Sequence, residues 1–336
     1  MNKSSYGIRV YAAGGGGTTI GYELESLRDK ETPGTGRLDV VYIDTSKSNL
    51  KPGIPEEACY LFGNVAEVDG SGKRRLENKD IILKRAKEIL KQFPPKDVNI
   101  VISTGGGGSG SVIAPSIVAE LTERKELVIV LVVGSKLTKM DALNTMNTLK
   151  SYEGISRTFK EPVVACYFEN QLRQPHSEIN NEIVKMVGNL MILASGQNES
   201  FDRMDLRNFL HYQTTTSFDP MLTVLTVHNS EDTSKLINKD LGEFITVTSL
   251  SVEEGDNTFP VPLEIQYTGT FPKAFTKDIK SPSTLHYVLS DGVFNRVILD
   301  HQILIDQMKD SEKARVARDD ILTGNDKIES NGLVFD

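Results

Sequence analysis

Long apolar runs are missing from this 336-residue sequence. The best of them, Leu127–Val133, falls far short of the ~20 apolar residues that span a bilayer, so no membrane segment is expected. Cysteine occurs only twice, as Cys59 and Cys166, both in apolar surroundings. That excludes a disulfide framework and fits a reducing cytoplasm. Met1–Gly7 contain no apolar stretch of the secretory-signal kind, so no such signal is expected. Positive charge is in short supply: 38 Lys and Arg against 46 Asp and Glu leave a net charge of -8. An acidic chain is poorly suited to direct nucleic-acid binding through its bulk surface. The five histidines, at 176, 211, 228, 286 and 301, have no metal-ligand spacing. Lys73-Arg74-Arg75 is basic but lacks interleaved aromatics and reads as a solvated turn. There are no internal repeats and no Ser-His-Asp arrangement.

What the sequence does have is core-forming material. Hydrophobic residues make up 38% and charged residues 25%, which is the composition of a globular chain. Its length suggests about two domains. Runs rich in Val, Ile and Tyr occur at Gly7–Ala13, Leu38–Asp44, Val98–Thr104, Leu127–Val133 and Pro162–Phe168. Helical stretches at Ile20–Arg28, Lys79–Phe93 and Ala114–Arg124, and a weaker one at Ala142–Lys150, lie among them. Near-continuous apolar strands separated by helices predict a parallel sheet covered on both faces. A helix of about 20 residues follows, Ser177–Ser195, bracketed by Pro175 and Gly196. Its Ile179, Ile183, Val184, Val187, Leu190 and Met191 recur at helical spacing, so one broad face is buried.

Beyond that helix the pattern changes. Met221–Val227, Phe244–Val252, Leu263–Thr270 and Leu285–Leu289 read as strands with clearer alternation, with a helical segment at Asp232–Leu241 among them. A long amphipathic helix is expected at Phe294–Arg318. The final segment, Asp319–Asp336, holds five acids and one Lys and ends in Leu333-Val334-Phe335-Asp336. The expected class is therefore α/β: a parallel-sheet domain over residues 1–175, a central core helix at 176–200, a smaller α+β domain at 201–293, a long helix at 294–318 and an acidic tail at 319–336.

Two glycine runs carry the chemistry. The first, Gly14-Gly15-Gly16-Gly17-Thr18, follows the first strand and leads into a helix. Strand, glycine turn, helix is a phosphate-binding arrangement, since glycine permits close backbone approach and the helix start presents free N–H groups. The dinucleotide spacing G-x-G-x-x-G fails, because the third glycine would fall on Thr19 or Ile20, although Asp44 at the end of the second strand imitates the ribose-binding acid. A P-loop is absent as well. The second run, Gly105-Gly106-Gly107-Gly108-Ser109-Gly110-Ser111, again follows a strand and opens a helix with Pro115 in its first turn. Two such loops at the carboxyl ends of strands in one sheet would converge on one polyphosphate.

Gly106–Ser111, followed by Ala114-Pro115, resembles the Gly-Gly-Gly-Thr-Gly-(Ser/Thr)-Gly signature of the tubulin/FtsZ superfamily. Ser109 stands for the Thr and Val112 for the last Gly. The likeness extends over residues 7–300, and the compact length with an acidic tail is similar to the tubulins encoded by large bacteriophages. Plasmid-partitioning relatives are the neighbours to exclude. The resemblance implies GTP and GDP as ligands, with Mg²⁺ beside the phosphates and its protein ligands unnamed. It places Gly14–Thr18, Asp44-Thr45 and Gly105–Ser111 around the nucleotide, and Gly70-Ser71-Gly72-Lys73 in the region that senses the γ-phosphate. His176 would stack on guanine and Asn180, one turn later, would read its edge, with Asn181 as the competing assignment. Asp202 and Asp205, three apart at a helix start, resemble the catalytic loop that completes the site of the next subunit. The implied activity is GTP hydrolysis within head-to-tail filaments, the main partner being the chain itself, with the tail docking on an adjacent subunit. A GTP-binding scaffold that does not polymerise and an NAD(P) enzyme are the alternatives.

Overall fold

The computed structural model describes residues 6–28, 36–62, 71–76, 79–229, 242–252, 259–273 and 284–323. Among them ten strands form one sheet: β1 (Gly7–Ala13), β2 (Arg37–Asp44), β3 (Cys59–Leu61), β4 (Val98–Thr104), β5 (Val128–Ser135), β6 (Val163–Asn170), β7 (Leu222–Asn229), β8 (Phe244–Ser251), β9 (Gln266–Thr270) and β10 (Thr284–Ser290). Their spatial order is β3-β2-β1-β4-β5-β6-β7-β10-β8-β9. The first seven pair in parallel. Only β10 runs antiparallel to its neighbours, β7 and β8. The β6–β7 seam is short, with Val163–Ala165 facing Leu222–Val224.

Among the described residues the α-helices are α1 (Gly14–Glu23), α2 (Glu25–Arg28), α3 (Lys79–Gln92), α4 (Gly110–Glu123), α5 (Lys139–Phe159), α6 (His176–Leu193), α7 (Arg203–Leu210) and α8 (Val293–Thr323). Strand residues alternate between two cores, as a period of two requires. Ile8, Val10 and Ala12 of β1 face one core with α1, α6 and α7. Tyr11 and Ala13 face the other with α3, α4 and α5.

Helix α6 has no side-chain cap at Pro175. It buries Ile179, Ile183, Val187, Leu190 and Met191. Each such side chain contributes about 1.5–3 kcal/mol, against ~1 kcal/mol for a cap, so packing fixes this helix. Its far end is finished by Asn198, whose Nδ2 donates to the carbonyls of Ile192 (3.1 Å) and Leu193 (3.3 Å). The Tyr287 hydroxyl of β10 donates to the Asn189 carbonyl at 2.7 Å, tying the second half of the sheet to this helix.

Four expectations are corrected. Helix α1 begins within the glycine run, at Gly14 instead of Ile20. Helix α4 begins at Gly110, which places Pro115 in its second turn. Helix α5 has 21 residues where only nine were expected. Helix α8 runs to Thr323, five residues into the segment read as tail. The segment expected as a helix at Asp232–Leu241, Gly70, and residues 324–336 with their Leu333-Val334-Phe335 lie outside the described residues. Among the described residues no helix is long and apolar enough to cross a membrane.

Candidate nucleotide site and acidic loop

The two glycine runs meet at the carboxyl edge of the sheet, because β1 and β4 are neighbours. Gly14 adopts φ +73°, and a Cβ there would lie 2.5 Å from the Cα of Gly110. A Cβ on Gly110 would lie 2.8 Å from the Ala13 carbonyl. Only glycine permits this approach. Each run is the start of a helix, α1 or α4, and neither helix has an acid in its first turn. Two helix starts without an acid in their first turns come together there, an arrangement that suits an anion. Val112, which stands for the signature's last glycine, lies inside the first turn of α4, buried, and is not among the residues with positive φ.

The loop after β2 joins them. The Thr45 and Ser109 hydroxyls bond at 2.7 Å. Thr18 Oγ1 donates to the Gly15 carbonyl at 3.0 Å, and Ser111 Oγ to the Gly108 carbonyl at 2.7 Å. Asp44 is fully buried and turned inward. Its carboxylate accepts from the Thr45 N–H (2.6 Å) and from Asn49 Nδ2 (2.8 Å). Burial raises its pKa, which these bonds oppose. Asp44 therefore shapes the loop.

The Lys73-Arg74-Arg75 turn is solvated at Lys73 and Arg74, which are exposed, and departs from that reading at Arg75, which is half-buried. Lys73, at φ +64°, pairs with buried Asp141 at 2.8 Å. Arg75 donates to Thr148 Oγ1 (2.7 Å) and Ser151 Oγ (2.8 Å), and burial lowers its pKa. These partners form a polar stripe along α5 that the sequence reading missed. Asn144 Nδ2 donates to the carbonyls of Lys73 (2.9 Å) and Gly106 (3.2 Å). Thr148 Oγ1 donates to the Gly105 carbonyl at 3.2 Å. Helix α5 thus holds the second glycine loop and the 71–76 turn in one register. The spacing 141, 144, 148, 151 was the available signal.

The expected base contacts come together at the start of α6. His176 is exposed, with Nδ1 3.2 Å from Asn170 Oδ1. Asn180 is half-buried against α1 and its Nδ2 donates to Glu23 Oε1 at 2.8 Å. Asn181 is exposed, so Asn180 is the one facing the glycine helix.

Asp202 and Asp205 sit elsewhere. Asp202 caps α7, accepting from the N–H groups of Met204 (2.7 Å) and Asp205 (3.1 Å). Asp205 accepts in return from the Asp202 N–H at 2.9 Å, which completes a capping box. Next to them Arg203 pairs with Asp97 at 2.9 Å and lies over the Tyr6 ring. Tyr6 and Asp97 immediately precede β1 and β4, so the acids occupy the amino edge of the sheet. Six residue steps of about 3.3 Å, or roughly 20 Å, separate the two edges. A concavity of about 640 Å³ lies beside the acids, lined by Tyr6, Gly196, Phe201, Asp202, Met204 and Arg207. Among the described residues no group of three or more His, Cys, Asp or Glu is placed to hold a metal.

A parallel sheet with two glycine-started helices at one edge, a central helix beside them and an acidic loop at the opposite edge defines a tubulin/FtsZ-type protein. No protein-family model matches the sequence. A phage tubulin-like protein of Pseudomonas phage PhiPA3 is 32% identical over 224 residues, 66% of this chain and 67% of that protein. A second, from Pseudomonas phage phiKZ, is 32% identical over 213 residues, 61% of this chain and 62% of its own length. The chain thus spans somewhat under two thirds of the phiKZ relative. A protofilament structure of TubZ from bacteriophage PhiKZ superposes with a TM-score of 0.79 at 27% identity, covering 98% of this chain and 99% of that one. The chain belongs to the phage tubulin-like proteins.

Proposed function

We propose that this protein binds GTP, hydrolyses it and assembles head to tail into dynamic filaments. The cargo would be phage DNA or replication structures, and the place the cytoplasm of an infected bacterium. One observation carries the reading. The anion site and the acidic loop lie on opposite edges of one sheet, about 20 Å apart, so neither is complete within a molecule. Stacking one molecule on another along the strand direction brings the second's acids to the first's phosphates. Such a contact is heterologous and need not close, which yields open filaments. The phage relatives' names and the PhiKZ protofilament support the same reading.

In this scheme residues 1–175 hold the phosphates and the start of the central helix holds the base. The N–H groups at the starts of α1 and α4 receive the phosphates, Thr45 and Ser109 brace the loops, and His176 and Asn180 take the guanine. Asp202 and Asp205, beginning the 201–293 region, would position or polarise the attacking water on the neighbour's GTP. Mg²⁺ is implied beside the phosphates, but the described residues offer it no cage. Asp44 is engaged by Thr45 and Asn49, and Asp141 by Lys73. These residues fit an ion that arrives on phosphate oxygens and water, and no step is assigned to it. The acidic tail would dock on the adjacent subunit. Removing residues 324–336 should raise the critical concentration and leave GTP binding intact; an unchanged critical concentration would leave the tail as a spacer.

The test is specific activity against protein concentration. GTP turnover per molecule should rise steeply with concentration. Asp205→Asn keeps an acceptor for the capping box and removes the charge. It should bind GTP normally, hydrolyse it about 10²–10⁴-fold more slowly and give persistent filaments. Concentration-independent turnover would reject the shared site and favour a GTP-binding scaffold.

A further inference from the structure

Asn180 has two different faces, an amide NH₂ and a carbonyl oxygen, and which of them meets the base decides which base is read. Its Nδ2 lies 2.8 Å from Glu23 Oε1. An ionised carboxylate only accepts, so the amide must turn its NH₂ toward Glu23. The carbonyl Oδ1 then points away from Glu23. Guanine presents donors on its Watson–Crick edge, N1–H and N2–H₂, and needs acceptors opposite them. Adenine presents an acceptor, N1, at the equivalent place. An Asn free to flip would serve either base. We propose that Glu23 is a positioning residue for guanine specificity: it locks the Asn180 amide with its acceptor toward the base and so disfavours adenine. The inference rests on the proposed role of Asn180 and adds to it a residue at the last position of α1, nine residues beyond Gly14. Rigid α1 thereby links the phosphate end of the pocket to its base end, about 14 Å away at the helical rise.

The test is direct binding of GTP and of ATP, by calorimetry, to the full chain and four variants. Glu23→Gln can accept from Asn180 or donate to it, so it loosens the lock, and the preference for GTP should fall, though less than in Glu23→Lys. Glu23→Leu frees the amide, and the preference for GTP over ATP should fall about tenfold. Glu23→Lys donates to Asn180 Oδ1 and turns the NH₂ toward the base, so the preference should fall further, with ATP binding gaining. Asn180→Leu should lose the preference altogether. A purely structural Glu23 would weaken both nucleotides in parallel in all three variants, which would overturn the proposal. Glu23→Gln and Glu23→Leu both keeping the wild-type ratio would also overturn it, because the amide would then be oriented without the carboxylate. If Asn180→Leu leaves the ratio unchanged, the base pocket is misplaced, and that failure is distinguishable from the failure of Glu23 alone.

Discussion

A single methyl group at Gly14 tests the convergence of the two glycine runs. Gly14 and Gly53 both have positive φ, +73° and +92°. Around Gly53 nothing lies within 4 Å of an added Cβ, whereas at Gly14 the Gly110 backbone is 2.5 Å away. Gly53→Ala should therefore show backbone strain alone, about 1 kcal/mol. Gly14→Ala carries the same strain plus a backbone clash that no rotamer relieves. It should destabilise by at least twice as much and weaken GTP binding at least tenfold. Urea denaturation and a binding titration on both variants check this; equal losses would mean that the loops separate easily. The glycines were legible in the sequence because their chemistry is local: a strand, a run of Gly, a helix. Glu23 was not, since its role depends on a partner 157 residues away.

At the scale of elements, legibility followed the apolar pattern. Strands β1 and β4 were delimited to the residue, because buried parallel strands are continuous apolar runs. Helix α6 was found because its buried face is apolar at helical spacing. Helix α5 was mostly missed for the opposite reason. Its Asp141, Asn144, Thr145 and Thr148 are buried, so the face toward the loops looks like a solvated one. The starts of α1 and α4 were set too late because glycine has low helix propensity, which tertiary contact overrides here. An ionic cluster around buried Glu161 and His211, with an exposed Lys125, joins the end of α4, the start of β6 and the end of α7, and it too was silent in the sequence. Glu161 accepts from Lys125 Nζ (2.9 Å), His211 Nδ1 (2.8 Å) and Gln213 Nε2 (2.6 Å). His211 caps the far end of α7, whose Arg207 reaches the Lys125 carbonyl. Burial lowers the His211 pKa below its ordinary 6.5, against the pull of Glu161, while Arg207 and Lys125 add to the lowering. Burial would raise Glu161, but Lys125 and His211 prevail and hold it low. In both cases the unfolded state binds more protons as pH falls, so stability is present at neutral pH and is lost on acidification. The loss should begin near pH 6.5, the ordinary histidine value, and the urea midpoint should drop between pH 7.5 and about 5.5. His211→Gln should flatten that drop. An unchanged slope would show that the histidine does not couple α7 to the sheet.

In the scheme proposed above, the sheet formed by the described residues carries half of the site at each edge, and that scheme predicts complementation between two inactive proteins. Asp205→Asn keeps its nucleotide edge and loses one of its two acids. A Gly14→Val variant keeps its acids, while the branched side chain would collide with Gly110 and exclude the phosphates. Alone, each should be nearly inactive, the first for want of an acid and the second for want of GTP. In a mixed filament the GTP of an Asp205→Asn subunit can face the intact acids of a Gly14→Val subunit. Random one-to-one mixing makes about a quarter of such head-to-tail contacts productive. Turnover should therefore reappear on mixing, peak near equal amounts and vanish on dilution below the assembly threshold. Co-sedimentation of the two chains, one carrying a tag, establishes that they share filaments. If they co-sediment and the mixture hydrolyses no more GTP than the two parts separately, the acids are not supplied across the contact. The capping box between Asp202 and Asp205 would then be their whole function. A site closed within one molecule makes the opposite forecast, since no mixture of two incomplete single-chain sites restores either. The roughly 20 Å across the sheet favours restoration, because no side chain spans it.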